Sequence, residues 1–300
     1  KAFEFRYAAE YYSVFGRKTD LLTYLDIKAP NITNFFGYGD QSIYDKTKPG
    51  EYKYYRARYN TGDVAVLLRK RFSDKVMFTF GPAYQYYSMD STDNVGRNIL
   101  TIPEGKPARF EKQSYLGGRY SFIVDTRNNK VIPTNGIHMR LTGRHLAGLN
   151  DNSYDFTQLN GDFTFHLSIV KRTLVLVNRT GGGHNFGDFE FYQAQYLGGE
   201  DNIRGYRKYR FAGRSKIFNN TELRWRVATF RTYLFPAYFG FFAFYDTGKL
   251  WEDGADTSTG WISGYGGGVW LAPLSRIVLS VSYTVSKEDK LPIVSLGWKF

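Results

Sequence analysis

Apolar and polar residues alternate along most of this chain, and this period of two is the feature that most restricts its fold. From Ile277 to Val285 every second residue is apolar, and the residues between them are polar apart from Val278. The segments 136–144 and 161–169 alternate in the same way. A period of two is typical of β-strands with one apolar and one polar face. Because no stretch combines a helical period with helix caps, the sequence predicts an all-β protein.

The alternating segments are long, and aromatic residues cluster at their ends. Most have about ten residues, whereas strands of soluble sandwiches usually have about five or six. Tyr and Phe number 25 each, and they gather at places such as 84–87 and 298–300. Strands of about 9–11 residues between aromatic girdles are typical of barrels in an outer membrane. We therefore expect a transmembrane antiparallel up-and-down β-barrel, with a soluble sandwich as the alternative that alternation alone leaves open.

The same pattern gives about fourteen strands in one domain, residues 1–300, with no internal repeat beyond the hairpins. The expected strands are 2–15, 20–30, 40–46, 54–71, 75–88, 113–125, 136–147, 154–169, 173–183, 215–228, 237–248, 261–272, 276–285 and 291–300. Short connections at 73–75, 171–172 and 273–275 alternate with longer polar ones. Short turns of such barrels face the periplasm and long loops face the exterior.

Charge and residue usage exclude several functions. The chain has 40 Lys and Arg against 28 Asp and Glu, a net charge of +12, and no Cys. Such a charge commonly indicates nucleic acid or an anionic surface, but alternation places basic residues such as Arg224 and Arg226 on the inner face, so we expect no nucleic-acid partner. The four His residues are scattered, and the glycines at 181–183 lack the Lys-Ser/Thr of a phosphate loop. We expect no catalytic residues, no metal and no cofactor.

The longest connection, 185–214, combines glycines, aromatic residues and a basic run. Four consecutive residues stand at its centre: Ile203, Arg204, Gly205 and Tyr206. Alternation places Glu222 and Asp246, from the two strands that follow, on the inner face. Because an Arg fork binds carboxylates bidentately and unpaired buried charges cost several kcal/mol, we expect Arg204 to pair with both. The alternative is a surface loop whose Arg has no partner.

The order of motifs resembles the BamA/TamA-like superfamily of outer-membrane insertase and secretion barrels, the bacterial surface antigen family. Besides the central Arg204 motif, the resemblance is carried by 197–199, 220–224, 244–248 and the turn 124–136. In that turn Ile132 replaces the usual aromatic residue. The resemblance is good over 115–300 and loose over 1–114. It implies a barrel of about sixteen strands, whose sixth exterior loop folds into the lumen and is held there by Arg204.

The C-terminal segment is the second candidate element. Alternation predicts one outward row of Val294, Leu296, Trp298 and Phe300. The resemblance implies that Phe300 is a barrel recognition signal and that the last strand kinks at Gly297, where a glycine weakens pairing. It also implies a short, openable seam with the first strand, whose free backbone groups can pair with an incoming strand. Alternatively, Phe300 is only the assembly tag that porins also carry.

A barrel of about sixteen strands exceeds the fourteen predicted here, so we expect the first two strands and any periplasmic domains to lie upstream of Lys1. The alternative is that 54–71 hides a hairpin. The segment 34–40 resembles a periplasmic turn of the family.

The resemblance implies an integral outer-membrane protein that assembles and inserts other barrel proteins. The implied partners are outer-membrane lipids and lipopolysaccharide, unfolded outer-membrane proteins and accessory lipoproteins. A secretion pore, or a membrane anchor for a partner or fused N-terminal domain, is the alternative function. A passive porin is a third.

Overall fold

The computed structural model describes residues 2–48, 50–101, 110–231, 236–252 and 260–300. Over these ranges it contains fifteen strands. Their bounds are β1 Phe3–Tyr11, β2 Thr19–Asn34, β3 Arg56–Arg71, β4 Val76–Ser88, β5 Gln113–Asp125, β6 Gly136–Gly148, β7 Phe156–Val170, β8 Leu174–Gly187, β9 Gln195–Leu197, β10 Phe211–Gly213, β11 Ser215–Arg231, β12 Pro236–Trp251, β13 Ile262–Pro273, β14 Leu279–Ser286 and β15 Lys290–Leu296. Helical turns are few: α1 Glu51–Tyr54 and three 3₁₀ turns at Thr92–Asn94, Asn98–Thr101 and Phe191–Gln193.

Thirteen of these strands form one antiparallel sheet in chain order, so the predicted all-β, up-and-down architecture is confirmed. The two remaining strands, β9 and β10, pair with each other inside the connection between β8 and β11. No helix of the described residues is long and apolar enough to span a membrane.

Burial across the sheet is inverted relative to that of a soluble protein. In β14, Val281 and Tyr283 are 50% and 55% exposed, whereas the hydroxyl residues Ser282 and Thr284 between them are buried. Apolar side chains therefore point outward and polar ones point to the inner face. An apolar outer face and a polar interior are typical of transmembrane barrels, whereas a soluble sandwich buries its apolar face.

One of the expected strands, 40–46, is absent from the structure, whereas the single strand expected at 54–71 is confirmed. The prediction of a strand at 40–46 is wrong, because this segment forms turns and coil. The side chain of Ser42 contacts the loop residue Arg210 instead of a neighbouring strand. The segment 54–71 is a single strand, β3, preceded by α1, so it hides no hairpin. The remaining twelve expected segments correspond to strands of the main sheet, whose total is thirteen rather than fourteen.

The connections alternate between two ends of the sheet. We call one the short-turn end, because it contains the turns 12–18, 72–75 and 171–173, and the opposite one the long-loop end. The comparison of 34–40 with a periplasmic turn is wrong, since this segment lies at the long-loop end. There Gly39 donates its N–H to the carbonyl of Ala212 at 2.8 Å.

Side-chain amides hold the turn between β5 and β6, at the short-turn end. Asn128 Oδ1 accepts the N–H groups of Thr134 and Asn135 at 3.0 and 3.1 Å. Its Nδ2 donates to Thr134 Oγ1 at 2.8 Å. The turn reaches across the interior, where Val131 and Ile132 pack against a cluster from β12, β13 and the segment after β13. Asn129 Oδ1 accepts the N–H groups of Val131 and Ile132 at 2.7 and 2.8 Å. Two amides therefore shape a turn that packs against the opposite side of the sheet.

We predict that Asn128→Ala lowers stability, because two backbone N–H groups lose their acceptor, at a cost of about 1–2 kcal/mol. The measurement is the temperature at which the folded protein loses its compact electrophoretic mobility in SDS. Lys171→Ala, in another turn of the same end, is the control. An unchanged temperature for Asn128→Ala would show that the other hydrogen bonds of the turn and its packing are enough to hold it.

Candidate functional site

The connection from 188 to 214, called the inner loop below, has a framework of its own. Glu190 and Gln193 form a reciprocal capping box around its 3₁₀ turn. The strands β9 and β10 then bring its two arms together. Between them, Asn202 Oδ1 accepts the N–H groups of Gly198 and Ile203 at 2.7 and 2.9 Å. These bonds within the loop position its tip independently of the contacts with the sheet.

Apolar side chains of the inner loop pack against the inner face. Ile203 and Tyr206 are both buried. They belong to a cluster with Leu197, Phe211, Phe218, Leu250 and Ile262. Because Ile203 and Tyr206 flank the tip on both sides, the cluster fixes the residues between them against β11, β12 and β13.

The guanidinium of Arg204 contacts the two carboxylates that alternation placed on the inner face. Its Nε and Nη2 donate to the two oxygens of Asp246 at 2.7 and 2.8 Å. Its Nη1 donates to Glu222 Oε2 at 2.6 Å. The backbone N–H of Arg204 adds a bond to Asp246 Oδ2 at 3.0 Å. The structure thus brings the loop arginine and both strand carboxylates together.

Neighbouring groups complete this cluster. Glu222 Oε1 accepts Nε of Arg224 at 2.6 Å, and the ring of Phe244 lies 3.5 Å from the Arg204 guanidinium carbon. Burial opposes the charge on Arg204, but the bonds and charges of Asp246 and Glu222 outweigh it and raise the pKa of the guanidinium. Removing one member of a buried ion pair costs about 3–5 kcal/mol, since the other charge stays buried. The cluster therefore holds the inner loop strongly.

Glycines let the loop backbone approach the sheet. A Cβ atom on Gly264 of β13 would lie 1.9 Å from the carbonyl oxygen of Arg204. Gly205 has a φ of +92°, a region that favours glycine. Its carbonyl accepts the hydroxyl of Ser286 at 2.7 Å, which links the inner loop to the end of β14. The close approach at Gly264 and the positive φ of Gly205 therefore both require glycine.

The C-terminal segment turns inward, so the expected outward row is only half right. Val294 and Leu296 do point outward. At Gly297, however, φ is +85°, and the strand ends one residue earlier. Trp298 then lies with its ring 3.8 Å from the guanidinium carbon of Arg224. The outward placement of Trp298 and Phe300 is wrong, because the turn at Gly297 reverses their direction.

This turn joins the two candidate elements in one place. The ring centroid of Phe300 lies 5.6 Å from the guanidinium carbon of Arg204 and 5.7 Å from that of Arg224. Trp298 also packs against Phe242 and Trp270 of the inner face. The inner loop, β11 and the terminal segment therefore meet around two arginines.

Comparison with known proteins identifies the family. The sequence profile of the Omp85 superfamily domain matches residues 4–300. The chain belongs to the Omp85 superfamily. Its fold is similar to the crystal structure of BamA from Haemophilus ducreyi lacking POTRA domains 1–3, with a TM-score of 0.68 at 11% identity. The match covers 98% of this chain but 62% of that one, so the chain spans less than two thirds of this structural neighbour. No curated protein matches the sequence.

Sequence reasoning missed a second arginine in the inner loop of this Omp85 barrel. Arg210 is 2% exposed and donates through Nε to Glu288 Oε2 at 2.7 Å. Its Nη1 donates to Ser42 Oγ at 2.7 Å. Nearby, Lys46 Nζ contacts Asp289 Oδ1 at 2.6 Å. The only signal in the sequence was opposite charge in distant loops, and charge alone does not indicate which loops meet.

We predict that Arg204→Ala lowers the unfolding temperature of the Omp85 barrel markedly, because Asp246 and Glu222 lose their shared partner, at about 3–5 kcal/mol. Arg204→Lys should be intermediate, since an ammonium keeps the charge but not the fork. Heat-modifiable mobility in SDS measures both. Lys208→Ala, an exposed basic residue of the same loop, is the control. Equal temperatures for all variants would mean that Arg204 does not hold the loop.

We also predict that Gly264→Ala displaces the inner loop, because the new methyl group would overlap the Arg204 carbonyl. The expected result is faster cleavage of the inner loop by trypsin in the folded protein. Gly118→Ala is a matched control, since a Cβ there meets nothing closer than 3.8 Å. Identical cleavage rates for the two variants would contradict the close approach at Gly264.

Proposed function

We propose that this Omp85 barrel is an integral protein of the bacterial outer membrane that assembles other barrel proteins there. The observation that supports it is the state of the terminal strand. β15 has seven residues, whereas β12 has sixteen. Within the described ranges β15 pairs with β14 alone. Its other edge therefore offers free N–H and C=O groups with which an incoming strand can pair.

The short strands would also disturb the membrane beside this edge. At about 3.3 Å per residue, the seven residues of β15 extend over roughly 23 Å, and strand tilt shortens the span further. The hydrocarbon core of a typical bilayer is about 30 Å thick. A barrel wall that is too short thins the adjacent bilayer. Local thinning lowers the barrier to inserting a strand next to β15.

The proposed substrates are unfolded outer-membrane proteins, and the proposed surroundings are outer-membrane lipids and lipopolysaccharide. Accessory lipoproteins are proposed partners at the periplasmic side. An inner loop packed against the inner face does not favour a passive porin, whose function needs a steady open channel. An insertase leaves its substrate in the membrane, whereas a secretion pore moves it across the membrane. The assay below distinguishes these two locations.

The test reconstitutes the full-length protein in liposomes and measures how fast an unfolded barrel protein becomes folded and protease-resistant in the same membrane. We expect faster folding than in empty liposomes. If the substrate accumulates inside the vesicles instead, the secretion alternative holds. Equal rates with and without the protein would remove the insertase proposal and leave the barrel fold as it is.

The bend after β15 gives a sharper variant. A Cβ at Gly297 would meet no atom within 4 Å, so Gly297→Val acts through the backbone, where its positive φ costs a non-glycine residue about 1–2 kcal/mol. We predict that the strand extends, the seam strengthens and insertion slows severalfold. Gly96→Val, also at positive φ in open space, is the control. An insertion rate equal to that of the control would mean that the bend at Gly297 does not contribute to insertion.

A further inference from the structure

A cavity of about 410 Å³ lies at the short-turn end, beside the end of β15. Its lining comes from the β5–β6 turn, the inner faces of β6 and β7, the segment 276–278 and the terminal segment. The cavity adjoins the inner loop, because its lining residue Lys299 contacts Glu200 of that loop at 2.9 Å. Lys130 and Arg276, also in the lining, take no part in the Arg204 cluster.

Cationic side chains outnumber carboxylates in the lining of the cavity. Among its described lining residues five are cationic: Arg127, Lys130, Arg140, Arg276 and Lys299. Two of them have carboxylate partners outside the lining, since Arg127 contacts Asp125 at 2.8 Å and Lys299 contacts Glu200 at 2.9 Å. The one side-chain carboxylate in the lining, that of Asp162, already contacts Arg140 at 3.2 Å and Arg179 at 2.8 Å. Within the described ranges Lys130 and Arg276 have no carboxylate within 4 Å. Two cations at the rim are thus available to an anion.

The other side of the cavity is apolar and reaches the outer surface of the sheet. Ile277 and Leu296 line it and are 49% and 73% exposed. Leu296 continues the outward row of Val294 at the last residue of β15. The cavity therefore connects the outward apolar surface with a basic rim. A ligand that fits both parts has an anionic head and a hydrocarbon tail.

We propose that this cavity binds an anionic phospholipid, with its phosphate at Lys130 and Arg276 and its acyl chains along Ile277 and Leu296. The proposal rests on the membrane location proposed above. Basic side chains at a membrane surface attract anionic lipids, and a buried hydrocarbon tail adds affinity that a free phosphate lacks. The lipid would occupy the base of the terminal strand, beside Gly297.

Binding is tested on the full-length protein in a zwitterionic detergent, by native mass spectrometry during titration with phosphatidylglycerol or phosphatidylcholine. We expect at least tenfold tighter binding of phosphatidylglycerol. The double variant Lys130→Gln, Arg276→Gln should lose that preference, because each basic residue near an anionic lipid contributes about fivefold. The control is Lys171→Gln, Arg172→Gln, a basic pair in another turn of the same end.

Three outcomes would overturn the proposal. An equal loss in the control pair would mean that general surface charge attracts the lipid. Displacement of phosphatidylglycerol by millimolar inorganic phosphate would indicate a phosphate site without acyl contacts. Displacement by an acidic peptide from a barrel substrate would assign the cavity to polypeptide. The assembly function is tested independently of lipid binding. The insertion assay can be run in phosphatidylcholine liposomes, where a preference for phosphatidylglycerol has no effect.

Discussion

The ion pairs of Arg204 with Asp246 and Glu222 determine how the interior of this barrel is arranged. Two carboxylates on β11 and β12 face a buried space, and charges there need a partner that reaches them. A loop arginine reaches them only if the loop backbone lies against the sheet. Gly264 makes that approach possible, because any side chain at this position would overlap the Arg204 carbonyl. The need of Asp246 and Glu222 for a charged partner therefore explains why position 264 has no side chain.

The same inverted burial determines where several of the 40 basic residues lie. Arg179, Arg204, Arg210 and Arg224 are all less than 10% exposed, and each contacts a carboxylate. In a soluble protein such residues would lie on the surface and indicate an anionic partner. Here the outer surface is apolar, so the inner face holds the charges. Part of the basic character therefore serves the interior, and Lys130 and Arg276 are basic residues that line the cavity at the short-turn end.

The sequence allowed some of this arrangement to be predicted. Period two located nearly every strand of the sheet, and it placed Glu222 and Asp246 on the face that Arg204 reaches. It failed at 40–46, where an irregular segment contacts loops and not strands. It also failed at Trp298, because alternation assumes extended backbone and Gly297 has positive φ. The contact of Arg210 with Glu288 joins residues 78 positions apart, and no local pattern encodes such a distance.

The contacts of the inner loop differ in strength from those of the terminal segment, which follows β15. The terminal segment contacts Arg204 and Arg224 through its rings, each contact worth about 0.5–2 kcal/mol. Arg224 also donates to the carbonyl of Phe300 at 3.3 Å, and Lys299 forms an ion pair with Glu200 of the inner loop at 2.9 Å. Breaking the Arg204 ion pairs costs about 3–5 kcal/mol. Each contact of the terminal segment is therefore individually weaker than the ion pairs of the inner loop. Because the loop has its own bonds to Asp246 and Glu222, its position does not rest on the contacts with the terminal segment alone.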